Sequence, residues 1–99
     1  MKSTDAVLER LRETVPVLSE KYRVKRIGVF GSYIRNEQKE DSDLDVLVDL
    51  GPEPTLGLFG LVEMEEYLSN TVGVSVVLVT LEGLKPRIGR RTLEEVVYL

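Results

Sequence analysis

Between Asp5 and Tyr22 the apolar residues Val7, Leu8, Leu11, Val15, Leu18 and Tyr22 recur at three- and four-residue steps, the stripe of an amphipathic helix with Ser3 or Thr4 as its N-cap. Pro16 falls inside this stripe and lacks the amide that the helical ladder needs, which predicts a kink or a restart near Thr14 to Pro16. Val24 to Phe30 is short, branched and closed by Gly31, as a strand would be. Ser32 to Arg35 can form one helical turn, and the charged stretch Asn36 to Ser42 reads as an exposed loop. From Asp43 to Leu50 the chain alternates. Asp43 and Asp45 point to one face, and Leu44, Val46, Val48 and Leu50 to the other, so this strand buries one face and carries acid on its opposite side.

Gly51 to Pro54 is turn chemistry, after which Thr55 can cap a helix through Asn70 with Leu58, Leu61, Val62 and Tyr67 or Leu68 as its buried stripe, ended by Gly73. Val74 to Thr80 is almost wholly branched and apolar, the composition of a central strand covered on both faces. Pro86 suits the first turn of a closing helix from Lys85 to about Arg91, followed by a tail from Leu93 to Leu99. The order helix, strand, strand, helix, strand, helix predicts an α/β or α+β fold in which helices flank a small mixed β-sheet. The 99 residues suit a single domain spanning 1–99.

Composition narrows the chemistry. The chain holds no cysteine and no histidine, which removes thiol nucleophiles, disulfides, zinc fingers and imidazole bases and leaves carboxylates with hard cations. Thirteen basic against seventeen acidic side chains give a net charge of -4, so bulk attraction to nucleic acid or anionic lipid is not expected and any nucleotide contact must be local. No apolar run reaches the length of a membrane span or a signal peptide, and a cytoplasmic location is the expectation. Lys85, Arg87, Arg90 and Arg91 form a local basic cluster, read first as ordinary surface charge near a helix end.

Two short motifs carry the functional argument. Asp43 and Asp45 leave the same face of a strand with alpha carbons roughly 6.5–7 Å apart, a repulsive arrangement that solvent or a divalent cation relieves. Alone, this pair is better explained by a solvated strand edge. Separated from this pair by ten residues, Gly31-Ser32 stands at the carboxyl end of the preceding strand, where glycine admits a ligand close to the backbone and the amides and hydroxyl of the next turn face an anion.

Together, Gly31-Ser32-Tyr33-Ile34-Arg35-Asn36 and Asp41-Ser42-Asp43-Leu44-Asp45-Val46-Leu47-Val48 resemble the signature of the polymerase-beta-type nucleotidyltransferase superfamily, specifically its minimal nucleotidyltransferases. The likeness runs on through Leu78-Val79-Thr80, Glu82-Gly83-Leu84-Lys85-Pro86 and Val97-Tyr98-Leu99. It implies a nucleotidyltransferase-like fold in which Gly31, Ser32 and Arg35 bind the triphosphate of ATP, and Asp43 and Asp45 are the catalytic, Mg²⁺-ligating pair. It also implies transfer of a nucleoside monophosphate, AMP, to a hydroxyl, with a small helical HEPN toxin as partner and acceptor and this chain as its antitoxin. A surface ion pair of Arg35 with Glu37 or Asp41 is the competing reading for that arginine.

Two positions depart from the family pattern. Asn36 replaces the usual glycine, a mild change because asparagine tolerates left-handed backbone. Val77 replaces the usual third carboxylate; valine neither ligates a cation nor accepts a proton. Asp49 lies roughly 13 Å along the strand from Asp45, too far to join one ion centre. The alternative function is therefore a catalytically impaired antitoxin or interaction module that neutralises its partner by contact. The tail Val96 to Leu99 either covers the core or seeds a homo-oligomer.

Overall fold

The computed structural model describes residues 4–39, 41–51, 57–81 and 90–99. The chain runs α1 (Thr4–Tyr22), β1 (Arg26–Phe30), β2 (Leu44–Asp49), α2 (Leu58–Val72), β3 (Val76–Thr80), α3 (Arg90–Glu95) and β4 (Val97–Tyr98). The strands form a four-stranded mixed sheet in the order β3-β2-β1-β4, with β1 antiparallel to β2 and β4, and β2 parallel to β3.

Helix α1 forms where its stripe places it and runs unbroken through Pro16, so the expected restart does not occur. Arg12, whose carbonyl loses its helical donor at Pro16, is exposed, as is Pro16 itself, so water can take the missing amide's place. The buried Thr14 hydroxyl bonds back to the Leu11 carbonyl at 2.6 Å. Val7, Leu11 and Leu18 of α1, Ile27 and Val29 of β1, Leu44, Val46 and Val48 of β2, and Met64, Leu68 and Val72 of α2 merge into one cluster. Helices α1 and α2 thus cover one face of the sheet.

Three expectations are corrected here. The buried stripe of α2 is Met64, Leu68 and Val72, with Leu61 partly buried, whereas Leu58 and Val62 face solvent. The spacing admits either stripe, and packing on the sheet selects the one 64, 68 and 72 define. Gly57 is the N-cap and Thr55 lies outside the described residues, while Gly73 ends the helix in the left-handed region at φ 80° as expected. Strand β3 is an edge strand, not a central one. Its outward amides are satisfied by α2 instead of another strand: Val76 donates to the Ser69 hydroxyl at 3.0 Å and Leu78 to the Glu65 carboxylate at 2.9 Å.

Third, the tail folds. Residues 90–95 are helical, Val97–Tyr98 adds β4 beside β1, and the Leu99 amide donates to the Ile27 carbonyl at 2.9 Å. The expected helix from Lys85 falls largely outside the described residues. A Cβ at Gly28 would lie 2.5 Å from Val96 and 3.2 Å from Tyr98, so this glycine is what lets β4 settle beside β1. Leu47, in register with Gly28, is fully buried although it shares the face of Asp45. The acid-bearing face is therefore open only near its ends.

Candidate nucleotide site

Strand β1 ends at Phe30, which is in register with Asp45 of β2, so the following Gly31 turns directly over that aspartate. Gly31 has φ +82°, and a Cβ added there would run into the Asp45 carboxylate. Glycine is required twice, by backbone geometry and by the acid that fills its missing side chain's place. The bend and the acid thus stand on one side of the sheet, in contact.

After Gly31 the chain makes a single helical turn. The Ile34 and Arg35 amides both donate to the Gly31 carbonyl at 3.1 Å, and the Glu37 amide donates to the Ser32 carbonyl at 2.9 Å. Tyr33 drops into the core at 5% exposure and anchors the turn, while Asn36 takes φ +59°, the left-handed geometry expected of it. Among the described residues the Ser32 and Tyr33 amides and the Ser32 hydroxyl have no hydrogen-bond partner. These donors follow directly on Gly31, which abuts the Asp45 carboxylate.

Asp43 lies exposed in the residue pair before β2, and Asp45 is half-buried within it. Neither carboxylate has a hydrogen bond or ion pair among the described residues. Burial first, and then the charge of Asp43, push the Asp45 carboxyl above its usual range, partly offset by Arg35. An unpartnered acid pair, one member half-buried and facing the other's charge, fits a hard cation whose remaining ligands are phosphate oxygens and water. A third protein ligand is lacking: Val77 sits in register with Asp45 on β3, 37% exposed, and no group of three or more acids forms a metal cluster among the described residues.

Arg35 is engaged elsewhere. It pairs with Glu37 at 3.1 Å and with Glu95 of α3 at 3.3 Å, and not with Asp41. The Glu95 contact joins the turn to the last helix, sixty positions away, and nothing in the sequence pattern signals it. Asp49 is likewise committed, to Arg26 at 3.4 Å and to the Gly51 amide at 2.9 Å. Arg26 in turn stacks on the Tyr98 ring at 4.2 Å.

A glycine-serine bend pressed against Asp45 of a mixed sheet, with Asp43 two positions before it, is the arrangement expected of a nucleotidyltransferase, and comparison with known proteins gives that class. The nucleotidyltransferase domain model matches residues 11–99, and the chain belongs to that family. Over its whole length it is 42% identical to a Methanocaldococcus jannaschii protein named as a protein adenylyltransferase, all of which is covered. It is 50% identical to the protein adenylyltransferase MntA of Thermococcus cleftensis over 83% of this chain and 81% of that one. Among solved structures, a minimal nucleotidyltransferase superposes with a TM-score of 0.78 at 35% identity, covering 99% of this chain and 97% of the other. A toxin–antitoxin crystal structure with AMP-PNP gives 0.57 at 26% identity, over 82% of this chain and 59% of that one. No helix among the described residues is long and apolar enough to cross a membrane.

Proposed function

We propose that this chain is a protein adenylyltransferase that acts as an antitoxin, moving AMP from ATP to a hydroxyl of a HEPN toxin partner. The observation that carries the reading is the contact between Gly31 and the Asp45 carboxylate, which joins the phosphate-facing bend to the acid pair. Relatedness to MntA and to a toxin–antitoxin structure with AMP-PNP supports the nucleotide and the kind of partner. A cytoplasmic location suits a reaction fed by ATP. The single buried cluster joining α1, α2 and the sheet supports one working domain over 1–99.

In the reaction the acceptor oxygen forms a bond to the α-phosphorus of ATP, the bond to the β-phosphate breaks, pyrophosphate leaves and the acceptor proton passes to solvent. Ser32 and the open amides of the turn hold phosphate oxygens, and Gly31 keeps the backbone close to them. Arg35 exchanges Glu37 and Glu95 for phosphate. Asp43 and Asp45 would hold Mg²⁺, which when bound neutralises triphosphate charge and polarises the reacting phosphoryl group. With no histidine in the chain and valine beside Asp45 where a third carboxylate would stand, general-base help for the acceptor hydroxyl falls to the acid pair.

Val77 is also what favours the second reading, an antitoxin that has lost transfer and works by contact. In the resembling family the HEPN partner is commonly encoded beside the nucleotidyltransferase, so incubating the purified chain with labelled ATP and the neighbouring gene's product separates the two. Labelled partner supports transfer. Absence of label with the wild type, together with label from Val77→Asp, establishes a disabled enzyme, as the second reading requires.

A further inference from the structure

Helix α2 carries apolar residues on the side away from its own core. The helix buries Met64, Leu68 and Val72, and at 100° per residue the direction opposite them falls on Phe59 and Glu66, with Val62, Glu63 and Asn70 flanking. Phe59 is 90% exposed, Leu58 73% and Val62 50%. A phenylalanine at the centre of an outward face is the inverse of what solubility selects and marks an interaction surface. Acidic residues border it: Glu66, and Glu63, which shares a 3.5 Å contact with Lys21.

We propose that Leu58, Phe59 and Val62 dock a folded partner protein through an apolar surface bordered by lysine or arginine. Two observations select that occupant. A second copy of this chain would bring the same acidic border, only Glu63 of it offset by Lys21, on a molecule whose net charge is already -4, whereas a basic border is attracted. The site's position also bears on the partner's size. Strands β2 and β3 are parallel, so α2 runs back against them, and its first turn lies near the end of β2 opposite Asp45. Fifteen residues at about 1.5 Å each put the patch roughly 20 Å from the end that carries the acids. Docking there leaves the nucleotide site open, and a partner reaching both places is a folded domain, not a short peptide.

This inference rests on the proposed existence of a protein partner but not on transfer. Its test measures, by calorimetry, binding of the purified neighbouring gene product to wild type, to Phe59→Ser/Val62→Ser, to Glu66→Lys and to Asp43→Asn/Asp45→Asn. Sedimentation of each chain alone and Mg²⁺-dependent ATP binding accompany it. The expected result is that Phe59→Ser/Val62→Ser keeps the wild-type melting temperature and ATP binding yet binds the partner at least tenfold more weakly. Glu66→Lys weakens binding mainly at low salt, and the double aspartate variant binds the partner as wild type does. Equal partner binding by wild type and Phe59→Ser/Val62→Ser overturns the inference and leaves the adenylyltransferase reading standing. So does self-association that the Phe59→Ser/Val62→Ser variant abolishes, since the occupant is then a second copy. Failure of the wild type to bind the gene product overturns the inference and the partner half of the proposed function, whereas intact ATP binding preserves the nucleotide half.

Discussion

Asp45→Asn should make this protein more stable while removing its nucleotide chemistry. The Asp45 carboxylate is half-buried, has no hydrogen bond or ion pair among the described residues, and faces the charge of Asp43 two positions away. With alpha carbons roughly 6.5–7 Å apart and an effective dielectric between 20 and 80, the repulsion amounts to about 0.6–2.5 kcal/mol. Arg35 offsets part of it, and the exposure of Asp43 favours the lower half of that range, so about 1 kcal/mol is expected. For a domain of this size that is a rise in Tm of roughly 4–8 °C. The sign of the pH dependence follows. The folded state raises this carboxyl, so its charge costs stability above the folded pKa, and the wild type recovers as pH falls through that value toward the ordinary carboxylate range. Thermal unfolding followed by circular dichroism should therefore show the variant ahead at pH 7 and the gap closing in mild acid. A variant less stable than wild type at pH 7, or a gap that does not change with pH, would refute the reasoning.

Other outcomes follow from the same contacts. Gly31→Ala must adopt φ +82° with its Cβ against Asp45, and a loss of about 1–3 kcal/mol in urea unfolding, with loss of ATP binding in calorimetry, is expected. Glu65→Ala leaves the Leu78 amide of edge strand β3 without its acceptor, so stability should fall by about 1–3 kcal/mol and exchange of that amide should quicken by NMR. Gly28→Val places its side chain in space held by Val96 and Tyr98, which should displace β4 and expose the Ile27 carbonyl to solvent, read as lost amide protection at Leu99. Added Mg²⁺ should raise the Tm of wild type but not of Asp43→Asn/Asp45→Asn.

Where one periodicity dominates, the sequence is enough. The stripe of α1 and the alternation of Leu44, Val46 and Val48 against Asp43 and Asp45 translate directly into buried and open faces. In α2 two stripes compete, and apolar content alone favours Leu58 and Val62, which the fold exposes. The branched run of β3 reads as a covered strand because its edge is closed from another element, by Glu65 and Ser69, at a distance no local pattern records. Strand β4 is two residues long and owes its place to Gly28, whose missing side chain says nothing until its neighbours are known. The site was legible as two motifs. Their convergence followed from the family likeness, whereas the register of Phe30 with Asp45 that brings them into contact, and the hold of Glu95 on Arg35, have no local signal.

The central claim is that the Gly31–Ser32 bend and the acid pair Asp43 and Asp45 form one cradle for a cation and a triphosphate. Calorimetric titration with ATP, with Mg²⁺ and again in excess chelator, tests it most directly. The account expects binding by wild type that depends on Mg²⁺ and is lost in Asp43→Asn/Asp45→Asn while that variant keeps its fold. Equal affinity in both proteins, or binding indifferent to the chelator, would contradict it.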